Sequence, residues 1–199
     1  MAIRTLDRHP AGLTWVEAER MERASHALAV EGRVWLVDPV DEADAIEEAT
    51  KLGAPAGVIQ LLDRHDRDGK AIADRLEVPL LIVPNELPGT PLRVIPIMNR
   101  SRWREVALWW EDARVLVVAE SIGTNLASTV GTGSAGVHPV LRVLGPPSAL
   151  RGLAPEHLLV GHGPALHGPE TPAALEHALD SARGDIPRFL ATLPQLIRG

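Results

Sequence analysis

Apolar and polar residues alternate in short runs near the start of the chain, a pattern that is typical of β-strands. Residues 25–40, SHALAVEGRVWLVDPV, contain an alternating run, a Glu31-Gly32 turn and a second apolar run that ends at Asp38-Pro39. Two such runs on either side of a turn that contains glycine predict a β-hairpin.

A helical pattern follows this hairpin. The segment DEADAIEEATKLG has acidic residues in its first turn and Gly53 directly after its end. Its apolar residues recur at helical spacing, at Ala45, Ile46, Ala49 and Leu52. Acidic residues favour the start of a helix and glycine favours its end, so this segment predicts a helix. The run GVIQLL then predicts a buried strand, and GKAIADRLEV predicts a second helix. Asp68 directly precedes this helix, where its carboxylate could accept from the first N–H groups.

Strands and helices continue to alternate towards the C-terminus. PLLIV and LRVIPIM predict short strands, EVALWW and ARVLVVAE predict a second hairpin, and HLLVGHGP contains a last strand. From Thr171 onward the apolar spacing is helical. This order predicts a sheet-rich α/β layer structure, with one domain over residues 1–199 and a C-terminal helical segment from about residue 171.

Composition narrows the class of protein. The chain has 199 residues, no cysteine and a formal net charge of −6. The lack of cysteine excludes disulfides, thiolate nucleophiles and cysteine-based metal sites, so any metal would need His, Asp and Glu ligands. Negative charge and the lack of tyrosine argue against a nucleic-acid partner. No apolar run is long enough to span a bilayer and the N-terminus lacks a secretory signal, so we expect a cytoplasmic protein without a membrane partner.

Polar side chains follow three of the predicted strands. VIQLL ends at Asp63 and His65, RVLVVA ends at Glu120, and HLLV ends at His162, which lies between two glycines. If these strands are parallel neighbours in one sheet, their C-terminal ends meet at one edge, where such sheets bind ligands. Asp63 and His65 would point to the same side of an extended chain. We therefore expect these four side chains to form one cluster.

Two other motifs resemble known functional sites but lack the sequence context that those sites need. GTGSAG, residues 131–136, fits the dinucleotide pattern G-x-G-x-x-G, but it neither follows a strand nor opens a helix, so a flexible loop or a lid is favoured. Ser121, Ser134 and His138 lie near Glu120 in the sequence, but the chain has no G-x-S-x-G elbow, which argues against a serine hydrolase.

The order of the elements and the three strand ends resemble the metallo-β-lactamase-fold hydrolases. That family has an H-x-H-x-D-H motif at a strand end, an acid after a later strand, and a last histidine in a G-H-G context. DRHDRD, residues 63–68, has the spacing of the first motif, VLVVAES resembles the second and LLVGHGP resembles the third. The resemblance covers residues 10–170 and implies a four-layer αββα sandwich with a metal-binding site.

The chain departs from the family pattern at the metal ligands. Asp63 stands in place of the first histidine, Arg67 in place of the aspartate and Asp68 in place of the third histidine. His65 matches the second histidine, and Ser101 falls near the position of the family's middle histidine. On the family's spacing, the candidate metal ligands are Asp63, His65, Asp68, Glu120 and His162.

Arg67 separates two functional hypotheses. A guanidinium group donates hydrogen bonds only and cannot bind a metal, whereas converging carboxylates need a cation. In the first hypothesis the standard two-zinc chemistry is lost, no cofactor is bound, and Arg67 forms an ionic network with Asp63, Asp68 and Glu120. In the alternative, one zinc, manganese or iron ion serves a hydrolase of a small ester, thioester or phosphoester, with Asp68 or His162 as the catalytic proton carrier.

The sequence does not identify a binding partner. A small-molecule ligand is expected at the strand-end cluster under either hypothesis. Trp109 and Trp110 lie in the second predicted hairpin and Trp103 lies just before it. Tryptophans at such positions usually cover a sheet or an interface, so a homo-oligomer is one interpretation. His26, His157 and His167 could each face the crevice or the surface, and taken singly each is expected to be a structural residue and not part of a site.

Overall fold

The computed structural model describes residues 3–198. A first sheet contains six strands whose order in space follows their order in the chain. These strands are β1 (Ile3–His9), β2 (Gly12–Glu17), β3 (Ala24–Val30), β4 (Arg33–Val37), β5 (Ala54–Gln60) and β6 (Leu80–Ile82). Strands β1 to β4 run antiparallel, and β4, β5 and β6 are parallel because helices α1 (Ala43–Thr50) and α2 (Gly69–Leu76) connect them.

The predicted hairpin at residues 25–40 is confirmed as β3 and β4. Val30 pairs with Arg33 across the turn, and both turn residues, Glu31 and Gly32, have positive φ angles of 50° and 76°. A tight turn with two left-handed residues matches the right-handed twist of the strands that it joins. Strands β1 and β2 form a further hairpin, which the sequence pattern did not predict.

The second sheet contains five strands in the spatial order β13, β12, β9, β8, β7. These strands are β7 (Leu92–Arg100), β8 (Trp103–Trp110), β9 (Val115–Val117), β12 (His157–Leu159) and β13 (Leu166–His167). Between β9 and β12 the chain forms a small ribbon of β10 (Ile122–Gly123) and β11 (Gly136–Val137) and helices α3 (Leu126–Thr129) and α4 (Pro139–Leu144). Helices α5 (Thr171–Ser181) and α6 (Ile186–Arg198) follow.

The two sheets pack face to face, with helices outside them. One apolar core includes Val37 and Ile59 from the first sheet, Leu108 and Leu116 from the second, and Leu175 from α5. A second core lies between the outer face of the first sheet and helices α1 and α2. This layering is the predicted αββα sandwich. Among residues 3–198, no helix has the length and apolar character needed to cross a bilayer.

The two sheets meet at one edge. The three strands whose ends meet there were expected to be neighbours in one sheet, and this expectation is wrong. The strand ends predicted to be neighbours belong to both sheets: β9 and β12 are parallel partners in the second sheet, whereas β5 lies in the first. After β5 the chain crosses to the second sheet, where Leu62 pairs with Glu105. At the same edge Arg23 pairs with His162, so side chains from both sheets converge there.

Candidate metal centre

Glu120 lies at the centre of the site, three residues after the end of β9. Its main chain is fixed by the fully buried carboxylate of Glu105, whose Oε1 accepts from the N–H groups of Glu120 (3.0 Å) and Ser121 (2.8 Å). Trp103 Nε1 donates to the other oxygen of Glu105 at 2.8 Å. Burial raises the pKa of Glu105, and these donors oppose that shift. Glu105 therefore positions the carboxylate of Glu120.

Three imidazoles surround the carboxylate of Glu120. Its Oε1 lies 3.1 Å from His162 Nε2 and 3.4 Å from His65 Nε2, and its Oε2 lies 3.0 Å from His138 Nε2. Burial opposes ionisation of Glu120, but its close contacts with His138, His162 and His65 outweigh it, so the pKa of Glu120 is well below its ordinary range. The carboxylate is charged at neutral pH.

His65 is oriented by a buried carboxylate on its other side. Its Nδ1 donates to Asp38 Oδ2 at 2.9 Å, and Asp38 Oδ1 accepts from the N–H of Leu61 at 3.0 Å. Burial would raise the pKa of Asp38, but contact with His65 and the charge of Arg67 lower it overall. A proton on Nδ1 of His65 leaves its Nε2 with a lone pair directed at Glu120.

His162 is held in the same way by a main-chain group. Its Nδ1 donates to the carbonyl oxygen of Met21 at 2.8 Å, which again leaves Nε2 as the nitrogen that faces Glu120. The rings of His65 and His162 are 5.9 Å apart between centroids and nearly perpendicular, at 73°. The ligand atoms of His65, Glu120 and His162 lie within 4.8 Å of one another, and no other group of three His, Cys, Asp or Glu side chains among residues 3–198 meets this condition.

This geometry requires a cation. With both rings neutral, two nitrogen lone pairs and a carboxylate oxygen face one another without a hydrogen between them, which is repulsive. Either a proton on the imidazoles or a metal ion removes the repulsion. Burial lowers the pKa of His65, but Asp38 and the hydrogen bond with Glu120 raise it overall. The residues therefore fit a divalent ion and, without one, an imidazolium.

His138 makes a different contact with Glu120. It precedes α4, and its Nδ1 accepts from the N–H of Val140 at 3.3 Å. Because Nδ1 is the acceptor, the proton lies on Nε2, which donates to Glu120 Oε2. The ring of Trp103 packs edge-on against His138, with centroids 5.1 Å apart. His138 is thus a hydrogen-bond donor to Glu120 in this arrangement.

The network predicted around Arg67 is not formed. Its guanidinium donates to three main-chain carbonyl oxygens, those of Ala24, Asp38 (2.9 Å) and Gly161 (3.0 Å). Within the part of the chain that the structure describes, Arg67 has no ion pair with Asp63, Asp68 or Glu120 inside 4 Å. Burial lowers the pKa of Arg67. Arg67 ties together segments from both sheets instead of neutralising the carboxylates.

Asp63 and Asp68 lie outside the group at Glu120. Asp63 accepts from Arg104 Nε at 3.5 Å, and its own N–H donates to the carbonyl of Arg104 at 3.0 Å. The chain contacts the second sheet at Leu62 and turns at Asp63 and Arg64, so Asp63 and His65 do not share one side of a strand as expected. Asp68 accepts from the N–H of Asp41 at 2.9 Å and makes no side-chain cap at the start of α2, which corrects that prediction.

Three residues of the site were missed in the sequence. Asp38 directly follows the second strand of the predicted hairpin, and an aspartate at a strand end is a signal that could have identified it. His138 was considered only as a partner of a serine nucleophile. Glu105 has no local signal, because its carboxylate acts on the main chain of another strand.

A small cavity opens beside Glu120 and His138. Its volume is about 180 Å³ and it lies between β10, α3, α4 and α6. Apart from Glu120, His138 and His162, most of its lining side chains are apolar or small, among them Met21, Ile122, Ala127 and Phe189. The cavity therefore suits a small ligand with an apolar part next to a polar group.

Solved structures with similar folds are metallo-β-lactamases. DIM-1 metallo-β-lactamase, in a crystal exposed to ceftazidime, has a TM-score of 0.62 and 13% sequence identity, over 92% of this chain and 97% of that one. FIM-1 from Pseudomonas aeruginosa in its mono-zinc form has a TM-score of 0.60 and 12% identity, over 92% and 97% of the two chains.

A further example is a metallo-β-lactamase from Erythrobacter litoralis, with a TM-score of 0.57 and 10% identity, over 92% of this chain and 95% of that one. No protein-family model matches the sequence, and no curated protein matches it. The chain therefore has the metallo-β-lactamase fold, at very low sequence identity to these enzymes.

Proposed function

We propose that this protein, which has the metallo-β-lactamase fold, binds one divalent metal ion at His65, Glu120 and His162 and hydrolyses a small ester, thioester or phosphoester. One observation carries the proposal. The Nε2 atoms of His65 and His162 converge on Glu120 Oε1, while the Nδ1 of each ring is committed to another acceptor. Two imidazoles with oriented lone pairs and a carboxylate are a ligand set that zinc, manganese and iron accept.

The contacts of Arg67 favour one ion over the two alternatives. A metal-free network needs Arg67 at the carboxylates, but its hydrogen bonds go to main-chain carbonyls. A second ion would need Asp68 as a ligand, and that carboxylate is bonded to the N–H of Asp41. The standard two-zinc chemistry is therefore lost in this proposal, and a site for a single ion is retained.

The residues around the ligand set have separate tasks. A bound divalent ion polarises a substrate oxygen and lowers the pKa of a water molecule. Asp38 and the carbonyl of Met21 hold the two imidazoles in the tautomer that binds metal. His138 and Glu120 both line the cavity, and their hydrogen-bonded pair, in place of Asp68, is positioned to move a proton to the leaving group.

Metal content tests the proposal directly. We expect His65→Ala to contain one ion per chain less than the unaltered protein and to bind zinc more than about 100-fold more weakly, because a ligand and not only its support is lost. Both proteins are purified without chelators, analysed by plasma emission spectroscopy and titrated with zinc, manganese and iron. His177→Ala, which removes an exposed histidine on α5, is the control and should change neither value.

Hydrolysis is measured on the same samples with small chromogenic acetate, thioacetate and phosphate esters. Activity that is lost in His65→Ala and present in His177→Ala supports the proposal. Equal metal content in the unaltered protein and in His65→Ala would contradict it, as would metal binding without turnover of any of the three substrate classes.

The Asp38→Asn variant tests how the ligand is oriented. Asparagine can keep the bond from the N–H of Leu61 to its carbonyl oxygen, but its NH₂ group then faces His65 Nδ1. Two donors cannot bond to each other, so His65 shifts its proton to Nε2 and loses the lone pair that faces Glu120. We expect a 10- to 100-fold loss of zinc affinity, roughly the usual cost of losing such a partner.

Isothermal titration with zinc measures this change. Asp41→Asn, at an exposed carboxylate paired with Arg75, is the matched control and should bind zinc normally. Unchanged affinity in Asp38→Asn would show that His65 is not the ligand oriented as described.

A further inference from the structure

Four side chains of a second cluster lie away from Glu120, and we propose that they form a second transition-metal site. His9 ends β1 in the first sheet, whereas His157 and His167 are cross-strand partners on β12 and β13 of the second sheet. Asp7 lies behind His167. An ion bound by His9, His157 and His167 would join the two sheets at this edge.

His167 has its proton on the nitrogen that faces away from the cluster. Its Nε2 donates to Asp7 Oδ2 at 2.7 Å, so its Nδ1 has the lone pair. That Nδ1 lies 2.8 Å from His157 Nδ1, which donates to it. A carboxylate behind a histidine, which leaves the opposite nitrogen as the acceptor, is the usual support of a metal-binding histidine, and a bound ion would take the place of the proton that His157 donates to it.

The tautomer of His9 follows from a chain of hydrogen bonds. His26 Nε2 lies 3.2 Å from the carbonyl oxygen of Val160, which can only accept, so His26 Nδ1 has no proton. That Nδ1 must accept from the hydroxyl of Thr14, at 2.9 Å. The hydroxyl oxygen then accepts from His9 Nε2, at 3.3 Å. His9 Nδ1 is therefore left with a lone pair.

This Nδ1 atom of His9 is buried and has no hydrogen-bond partner in the described part of the chain. Burial and the neighbouring His167 lower the pKa of His9 to about 4, so the ring is neutral at pH 7. A buried nitrogen with an unused lone pair is costly unless it meets a proton or a cation. It is the third nitrogen of the proposed site.

The spacing of the rings suits a tetrahedral ion. The centroids of His157 and His167 are 5.0 Å apart, those of His9 and His167 are 5.3 Å apart, and those of His9 and His157 are 6.0 Å apart. Imidazoles on a tetrahedral zinc ion, with Zn–N distances of about 2.0–2.1 Å, have centroids roughly 5 Å apart. The ligand nitrogens of the three rings are not all within 4.8 Å of one another. Because the Nδ1 atoms of His157 and His167 are only 2.8 Å apart, binding requires the ring of His9 to turn towards that pair.

The ligand set selects the class of ion. Three imidazole nitrogens suit Zn²⁺ and Ni²⁺, whereas Mg²⁺ and Ca²⁺ prefer oxygen. The side chain of His167 is 28% exposed, so an ion can enter from solvent. Because ligands come from both sheets, the ion acts as a structural clip and not as part of the centre at Glu120.

Zinc titration of a variant that lacks the first centre tests this site. In His65→Ala/His162→Ala we expect Zn²⁺ to bind at one ion per chain, measured by equilibrium dialysis and plasma emission spectroscopy. Adding His157→Ala and His167→Ala should weaken this binding at least 100-fold, and adding Asp7→Asn about 10-fold. His177→Ala in the same background is the control and should leave binding unchanged. No Zn²⁺ or Ni²⁺ bound by the first double variant would overturn the proposal.

A measurement on the unaltered protein covers the case in which these variants do not fold. In ¹⁵N-labelled protein, adding Zn²⁺ should shift the ring-nitrogen signals of His9, His157 and His167. Unchanged signals of these three rings in the presence of excess zinc would also overturn the proposal. Both readouts concern residues outside the centre at Glu120. A negative result here would therefore leave the proposed metal ion at Glu120 untouched, and the reverse also holds.

Discussion

Replacing Arg67 with alanine lowers the free energy of unfolding by about 4 kcal/mol, because a charged donor with three buried acceptors is lost. The carbonyl groups of Ala24, Asp38 and Gly161 come from the start of β3, the end of β4 and the loop after β12. No smaller side chain can bridge these three segments. The first sheet and the second sheet thus lose a common hydrogen-bonding partner at the edge where the candidate centre lies.

Urea unfolding followed by tryptophan fluorescence measures this loss. Arg75→Ala is the matched control, since Arg75 forms an exposed ion pair with Asp41, and such pairs contribute about 0–1 kcal/mol. Arg67→Lys should fall between the two, because one ammonium group cannot reproduce the planar fork of the guanidinium. If Arg67→Ala is no less stable than Arg75→Ala, the three hydrogen bonds do not stabilise the fold.

Acid should destabilise the metal-free protein by about 3 kcal/mol between pH 6.5 and pH 4 through His26 alone. Burial, helped by the nearby His9 and Arg67, lowers the pKa of His26 from 6.5 to about 3, although Asp38 and the carbonyl of Val160 oppose this shift. In the unfolded chain His26 takes up a proton below pH 6.5, whereas in the folded protein it stays neutral. The contribution is therefore complete above pH 6.5 and is lost as the pH falls.

Other titratable groups also change how the free energy of unfolding depends on pH. His9, with a pKa lowered to about 4 by burial and by His167, adds to the acid loss. His65 has the opposite sign, because its folded pKa is raised: its contribution is present at low pH and is lost as the pH rises through that pKa. Glu120, whose pKa is lowered, adds to the acid loss as the pH falls below 4.5, the ordinary pKa of its carboxyl group.

Urea midpoints at pH 7, 6, 5 and 4, on protein freed of metal with a chelator, measure this dependence. His26→Gln should be less stable at pH 7, since the fit to Thr14 and Val160 is disturbed, yet its stability should change less between pH 6.5 and pH 5. His177→Gln, at an exposed histidine, should keep the slope of the unaltered protein. An unchanged slope in His26→Gln would show that this buried histidine is not neutral in the fold.

The pattern of short strands and helices was sufficient to predict the layered fold. Apolar alternation around a Gly-containing turn, as in residues 25–40, depends only on near neighbours, so the hairpin β3–β4 follows from the local sequence. The same holds for the hairpin of β8 and β9 and for α1. The first hairpin, β1 and β2, was missed because its polar residues hide the alternation.

The sequence by itself determined which residues follow strands, and so it selected His65, Glu120 and His162 as neighbours of one edge. Only the tertiary structure decided which of their neighbours join them. The segment after β5 contacts β8 of the second sheet, and there Asp63 lies beside Arg104. The packing of the two sheets brings Asp38, Glu105 and His138 to the centre instead. Side-chain contacts across two sheets depend on how the sheets pack, and residues far apart in the chain determine that packing.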